Sequence, residues 1–128
     1  TSAHVAAGWD LLPTLCELAG LDKPSGIDGV SFAPTLLGQP KKQEKREYLY
    51  WEFHERGGKQ AVRMGKWKGI RQNVRKNKDA PIELYDLSMD VGEEKNLADK
   101  HPDLVRKMAQ AMTDSHTTNP NFRFLPGE

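Results

Sequence analysis

One cysteine, Cys16, stands among the 128 residues, so no disulfide can close within the chain. A lone cysteine marks neither a reducing nor an oxidising compartment. No apolar run approaches the roughly 20 residues that a membrane-spanning helix needs, and no membrane partner is expected. No secretory leader is visible, and the chain opens on Thr1 and Ser2 without an initiator Met, as expected of a piece of a longer protein. Neither sign of charge is in excess: 19 Lys and Arg against 18 Asp and Glu leave a formal +1. That balance gives no general attraction for nucleic acid, and none is expected as a partner.

Metal and phosphate motifs are missing as well. His4, His54, His101 and His116 are scattered, without paired His or Cys at zinc spacing. Gly57 and Gly58 lack the Gly, Lys or helix start of a phosphate loop. Asp86, Ser88, Asp90 and Gly92 resemble a calcium loop only superficially. Val91 occupies the place of its obligatory Gly, and Leu97 that of its last Glu. Turn chemistry is the preferred reading there. No internal repeat is present.

What remains suits one small α+β unit. Hydrophobic residues make up 37% and charged residues 29%, enough for a modest core. Residues 9–20 (WDLLPTLCELAG) predict a short helix with Asp10 as N-cap, Pro13 in the first turn and Gly20 as its stop. Leu11, Leu12, Leu15, Leu18 and Ala19 share one helical face. Residues 21–46 are punctuated by Pro and Gly and end in a charge run, which predicts an irregular linker. Residues 47–54 (EYLYWEFH), 59–64 (KQAVRM), 66–72 (KWKGIRQ) and 82–87 (IELYDL) predict four strands, most simply an antiparallel meander. Residues 101–115 predict a second helix, with Leu104, Val105, Met108, Ala111 and Met112 turned to the sheet. The tail, 117–128, is expected to be extended, with Phe122 and Phe124 packing back.

Taken in order, several stretches resemble the C-terminal part of the type I sulfatase (arylsulfatase) family of the alkaline phosphatase superfamily, bacterial type. They are 10–20 (DLLPTLCELAG), 28–32 (DGVSF), 36–38 (LLG), 48–53 (YLYWEF), 60–68 (QAVRMGKWK) and 83–87 (ELYDL). Asp90 with 93–97 (EEKNL) and the tail 118–122 (TNPNF) complete the set. The resemblance implies a large N-terminal α/β domain holding a divalent metal, usually Ca²⁺. It also implies a formylglycine made from Cys or Ser in a C/S-x-P/A-x-R motif, whose hydrate attacks sulfur. The C-terminal part is then a four-stranded antiparallel sheet with a packed helix. Residues 1–20 would be the last helix of the missing catalytic domain, 21–46 the linker and 47–128 the sheet-plus-helix subdomain. The missing N-terminal domain would be the partner, and self-association through residues 1–20 its substitute. Location would be periplasmic or secreted.

Within this chain no catalytic residue, metal ligand or cofactor is expected. Cys16 is followed by Glu17, Leu18, Ala19 and Gly20, so the motif fails, and a packing role is preferred. Tyr48, Tyr50, Trp51 and Trp67, near Arg63, Lys66 and Lys68, read as core aromatics before they read as a nucleic-acid or glycan surface. The candidates for a substrate rim are His54, Glu55, Arg56, Gln60 and Arg63, whose cations and amide suit a sulfated or carboxylated sugar or an aryl sulfate. Their alternative is an ordinary solvated hairpin. Two other readings of the whole chain stand beside the sulfatase: a free-standing glycan-binding or protein-interaction module, and a piece of a related phosphoesterase. An apolar patch left exposed on residues 1–20 would favour the truncated hydrolase over the free module.

Overall fold

The computed structural model describes residues 2–128. They divide into two compact units, Thr1–Glu47 and Tyr48–Glu128.

The first unit is built around helix α1 (Leu11–Leu18), entered through a 3-10 turn, Gly8–Asp10. Asp10 departs from its expected role. The 3-10 turn leaves it in helical geometry at the N-cap, and its side chain makes no capping bond to α1. Its carboxylate accepts N–H from Ala7 and Val30 (2.8 and 2.9 Å) and both arms of Arg46 (3.0 and 2.6 Å) instead. The helix ends as its sequence predicts. Gly20 turns left-handed at φ 70°, and the N–H of Leu21 bonds back to the carbonyl of Cys16 at 2.9 Å.

The apolar face of the helix stands open, as the truncated-hydrolase reading expects. Pro13 and Thr14 are buried, while Leu11, Leu12, Leu15 and Leu18 are 54, 51, 61 and 46% exposed. Thr14 closes the inner side, donating to Asp10 O at 2.6 Å and accepting from Phe32 N at 3.0 Å. The stretch expected to be irregular contains helix α2 (Ala33–Leu36) and a 3-10 turn, Pro40–Lys42. Ala33 is fully buried, and Gly29 lies so close to α1 that a Cβ there would stand 2.3 Å from the carbonyl of Trp9.

In the second unit, β1 (Leu49–Phe53), β2 (Lys59–Met64), β3 (Trp67–Gln72) and β4 (Ile82–Asp86) form one antiparallel sheet in the order 1-2-3-4. This is the expected meander, and the fold is α+β. Alternation sorts the side chains onto two faces. Tyr50, Val62, Gly69 and Leu84 stand in register on one of them. Helix α3 (Pro102–Ser115) covers that face with Met108, Ala111 and Met112, which join Val62, Ile82 and Leu84 in the core. Gly69 admits the helix: a Cβ there would lie 2.6 Å from Met108 Sδ. His101 precedes α3 as expected, with its ring 4.7 Å from Trp67.

The loop after β4 is held by turn chemistry. Asp86 accepts from Lys66 Nζ (2.7 Å) and from the N–H and hydroxyl of Ser88 (3.0 and 2.5 Å). Asp90 accepts the N–H groups of Glu94 and Lys95, the latter at 2.9 Å. Asn96 Oδ1 takes the N–H of Leu84 and of Ala98, both at 3.0 Å, which ties the loop to the sheet edge.

Candidate functional site

The β1–β2 hairpin carries the first three rim candidates. Arg56, Gly57 and Gly58 all have positive φ (52, 87 and 76°), which turns the chain tightly. The N–H of Gly58 closes the turn on Glu55 O at 3.1 Å. The loop after β3 supports it from behind: Val74 N–H donates to Gly58 O (3.2 Å) and Arg75 N–H to Gly57 O (3.1 Å). Glu55 and Arg56 project into solvent. His54 does not. Its ring sits against Phe122 and Phe124, with centroids 4.3 and 4.6 Å away, and its Nε2 is buried without a hydrogen-bond partner.

Gln60 and Arg63 lie elsewhere. Gln60 is 2% exposed and faces the α3 side, donating to Tyr50 Oη at 2.8 Å and accepting from Arg71 at 3.4 Å. Arg63 stands on the other face, with Nε donating to Gly65 O at 3.1 Å. The structure therefore brings His54, Glu55 and Arg56 together on the tip and separates Gln60 and Arg63 from them and from each other.

The sheet face away from α3 forms a shallow groove of about 450 Å³ that includes Trp51, Phe53, Lys59, Ile70 and Tyr85. Three of its four charges have partners. Lys68 pairs with Glu93, and Gln72 Nε2 bonds both oxygens of Glu83 at 3.0 Å. Tyr85 donates to Glu83 at 2.9 Å, and burial first and then that carboxylate push its phenol up to about 12. Of the sequence's aromatics, Tyr48, Tyr50 and Trp67 pack on the core and Trp51 lines this groove.

A polar network that local sequence gives no hint of runs along the α3 face. Tyr50 donates to Glu52, and His116 meets Glu52 through Nδ1 (2.5 Å) and Glu128 through Nε2. Burial, then the bond to Glu52, hold the Tyr50 phenol far above its usual range. Sixty-four positions separate His116 from Glu52, so proximity in sequence could not have paired them.

Among the described residues, no group of three or more His, Cys, Asp or Glu is placed to hold a metal ion. Cys16 is a half-buried free thiol on α1. The described residues thus offer no cluster that fits a divalent cation, and Glu17, Leu18, Ala19 and Gly20 after Cys16 do not fit a C/S-x-P/A-x-R motif.

Residues 1–118 match the family model described as N-sulphoglucosamine sulphohydrolase, C-terminal. The chain is 37% identical over 112 residues to a Delta 4,5-hexuronate-2-O-sulfatase of Bacteroides thetaiotaomicron, covering 85% of this chain and 23% of that protein. It is 34% identical over 138 residues to arylsulfatase A of Bos taurus, covering 93% of this chain and 27% of that one. A solved 2-O GAG sulfatase shares the fold with a TM-score of 0.67 at 34% identity, over 82% of this chain and 23% of its own. The chain spans about a quarter of the length of the curated relatives it matches.

Proposed function

The chain belongs to the N-sulphoglucosamine sulphohydrolase C-terminal family, a sulfatase domain, and from that premise we propose that it serves as the C-terminal part of a sulfuric ester hydrolase. The observation that carries this reading is the match over residues 1–118, which takes in both units. The remaining three quarters of the relatives' length is the source we assign to the catalytic centre. There a formylglycine residue and a bound divalent cation, Ca²⁺ in the family's usual form, would supply the nucleophile and the charge for sulfate-ester cleavage.

This chain's own residues support and shape that centre. Residues 1–20 act as the last helix of the catalytic domain, 21–46 as the connection and 47–128 as the subdomain. The leucines of α1, 46–61% exposed, form an apolar stripe suited to packing under that domain. At the hairpin tip, Arg56 offers a guanidinium for a sulfate or carboxylate, with Glu55 beside it to orient sugar hydroxyls. His54 sets the tip against the tail, and Gln60 and Arg63 serve the sheet. Sulfated glycans and aryl sulfates are the substrate class, in line with the names of the relatives. Export to the periplasm or outside the cell suits such substrates. No helix among the described residues is long and apolar enough to cross a membrane.

The test is turnover of a sulfated disaccharide and of an aryl sulfate by the parent enzyme and its Arg56→Ala variant. We expect KM for the disaccharide to rise about tenfold, the worth of one charge-assisted contact of roughly 1.5 kcal/mol, with kcat little changed. Unchanged KM for both substrates would remove Arg56 from the rim.

A further inference from the structure

One histidine joins the last residues of the chain to the sheet. His116 follows directly on α3, and both of its ring nitrogens face carboxylate oxygens: Glu52 on β1 and Glu128 at the chain's end. A neutral imidazole has a single N–H and cannot donate to both, whereas an imidazolium can. The three side chains are largely closed to solvent, at 10% for His116, 20% for Glu52 and 11% for Glu128. Glu128 then turns inward with its second oxygen, accepting the N–H of Phe124 (2.9 Å) and Leu125 (3.0 Å). Phe124, 2% exposed, lies against the His54 ring and under Gly58, where a Cβ would come within 3.3 Å of it. A continuous path therefore runs from the sheet through His116 and Glu128 to Phe124 and the hairpin tip.

We propose that His116 is the catch of a pH-sensitive latch: charged, it holds residues 117–128 down on the β1–β2 hairpin, and neutral, it lets them lift. This goes beyond the sulfatase reading and does not depend on what the hairpin binds. Losing the ring proton turns one donor into a lone pair that faces a carboxylate, so one attachment becomes a repulsion. The groups around the catch hold Glu52 in place for it. Tyr50 donates to Glu52 from β1, Gln60 on β2 donates to Tyr50, and Arg71 on β3 reaches Gln60. On the α3 side, Ser115 and Tyr48 pair their hydroxyls at 3.1 Å.

Burial pulls the His116 ring down, but the bonds to Glu52 and Glu128 outweigh it, and the net shift is upward. A histidine raised in the folded state stabilises fully below its ordinary value of about 6.5 and loses that contribution as pH climbs through the raised midpoint. Glu128 is lowered to about 2, first by the Phe124 and Leu125 amides and also by His116. Its contribution is present above the ordinary glutamate value and lost only as pH falls through the depressed one. The latch is thus shut in mild acid and opens as pH rises past the ordinary histidine range.

The experiment is NMR on the 128-residue chain, following the His116 ring and the exchange protection of the Phe124 and Leu125 amides across pH. The ring should titrate above its ordinary value. Protection, corrected for intrinsic exchange, should fall about tenfold or more through that midpoint while Met112 in α3 stays protected. His116→Gln should give low, pH-independent protection. Should that variant fail to fold, Glu128→Gln at the chain end should lower the ring's midpoint and weaken protection of the same two amides. A ring titrating at or below its ordinary value would overturn the latch. So would protection that is flat across the midpoint, or that keeps its pH dependence in His116→Gln.

Discussion

Asp10 gathers two backbone N–H groups and a two-pronged arginine onto one carboxylate that is 2% exposed. Burial opposes its charge, but the Arg46 hydrogen bond and the amides of Val30 and Ala7 win, and its pKa is lowered. The stabilisation is present above the ordinary aspartate value and fades as pH falls through the depressed one. Removing one partner of such a pair strands the other, so Asp10→Ala should destabilise the first unit by about 3 kcal/mol in urea unfolding. Adding Arg46→Ala to it should cost little more. Gly29→Ala should cost about 1–3 kcal/mol, because the obstacle is the backbone carbonyl of Trp9 rather than a side chain that can swing away. Neither partnership is legible locally. Asp10 reads as a helix cap because Arg46, thirty-six positions on, shows nothing in sequence of where it folds.

Among the elements, those with a strong local period or strand-prone runs between turn residues are legible in the sequence. Strand-prone residues bounded by turn residues located β1 to β4, and the spacing of Leu104, Val105, Met108, Ala111 and Met112 located α3 and its buried face. Met108→Ala should therefore cost about 2–5 kcal/mol in thermal or chemical unfolding, since Met108 is fully buried against Gly69. Helix α2 is not legible in the sequence because it has four residues, contains Pro34 and leaves Leu36 59% exposed, so no apolar stripe marks it. The rim candidates were grouped by nearness in the chain. Yet Gln60 and Arg63 sit three places apart on one strand, and an odd spacing on a strand sends side chains to opposite faces. That separation was available from the alternation itself. Of the two phenylalanines expected to pack back, Phe124 is buried, while Phe122 remains 62% exposed with its ring against His54. His116 joins elements whose partnership no local period encodes.

At the scale of the whole molecule, the leucine stripe of α1 is the feature that a missing neighbour would explain. A free-standing module would not be expected to leave Leu11, Leu12, Leu15 and Leu18 half-exposed on one short helix. The isolated chain should self-associate with rising concentration in sedimentation velocity, and Leu15→Glu should shift it toward monomer. Among the described residues no group of three or more His, Cys, Asp or Glu is placed to hold a metal ion. The most direct test of the central claim is sulfate release from an aryl sulfate, measured side by side on the parent enzyme and on this chain alone. Metal-dependent turnover is expected of the parent, lost when the Cys or Ser of its C/S-x-P/A-x-R motif is replaced, and none of this chain. Sulfate release by the isolated chain, or a parent that cleaves only phosphate esters, would contradict it.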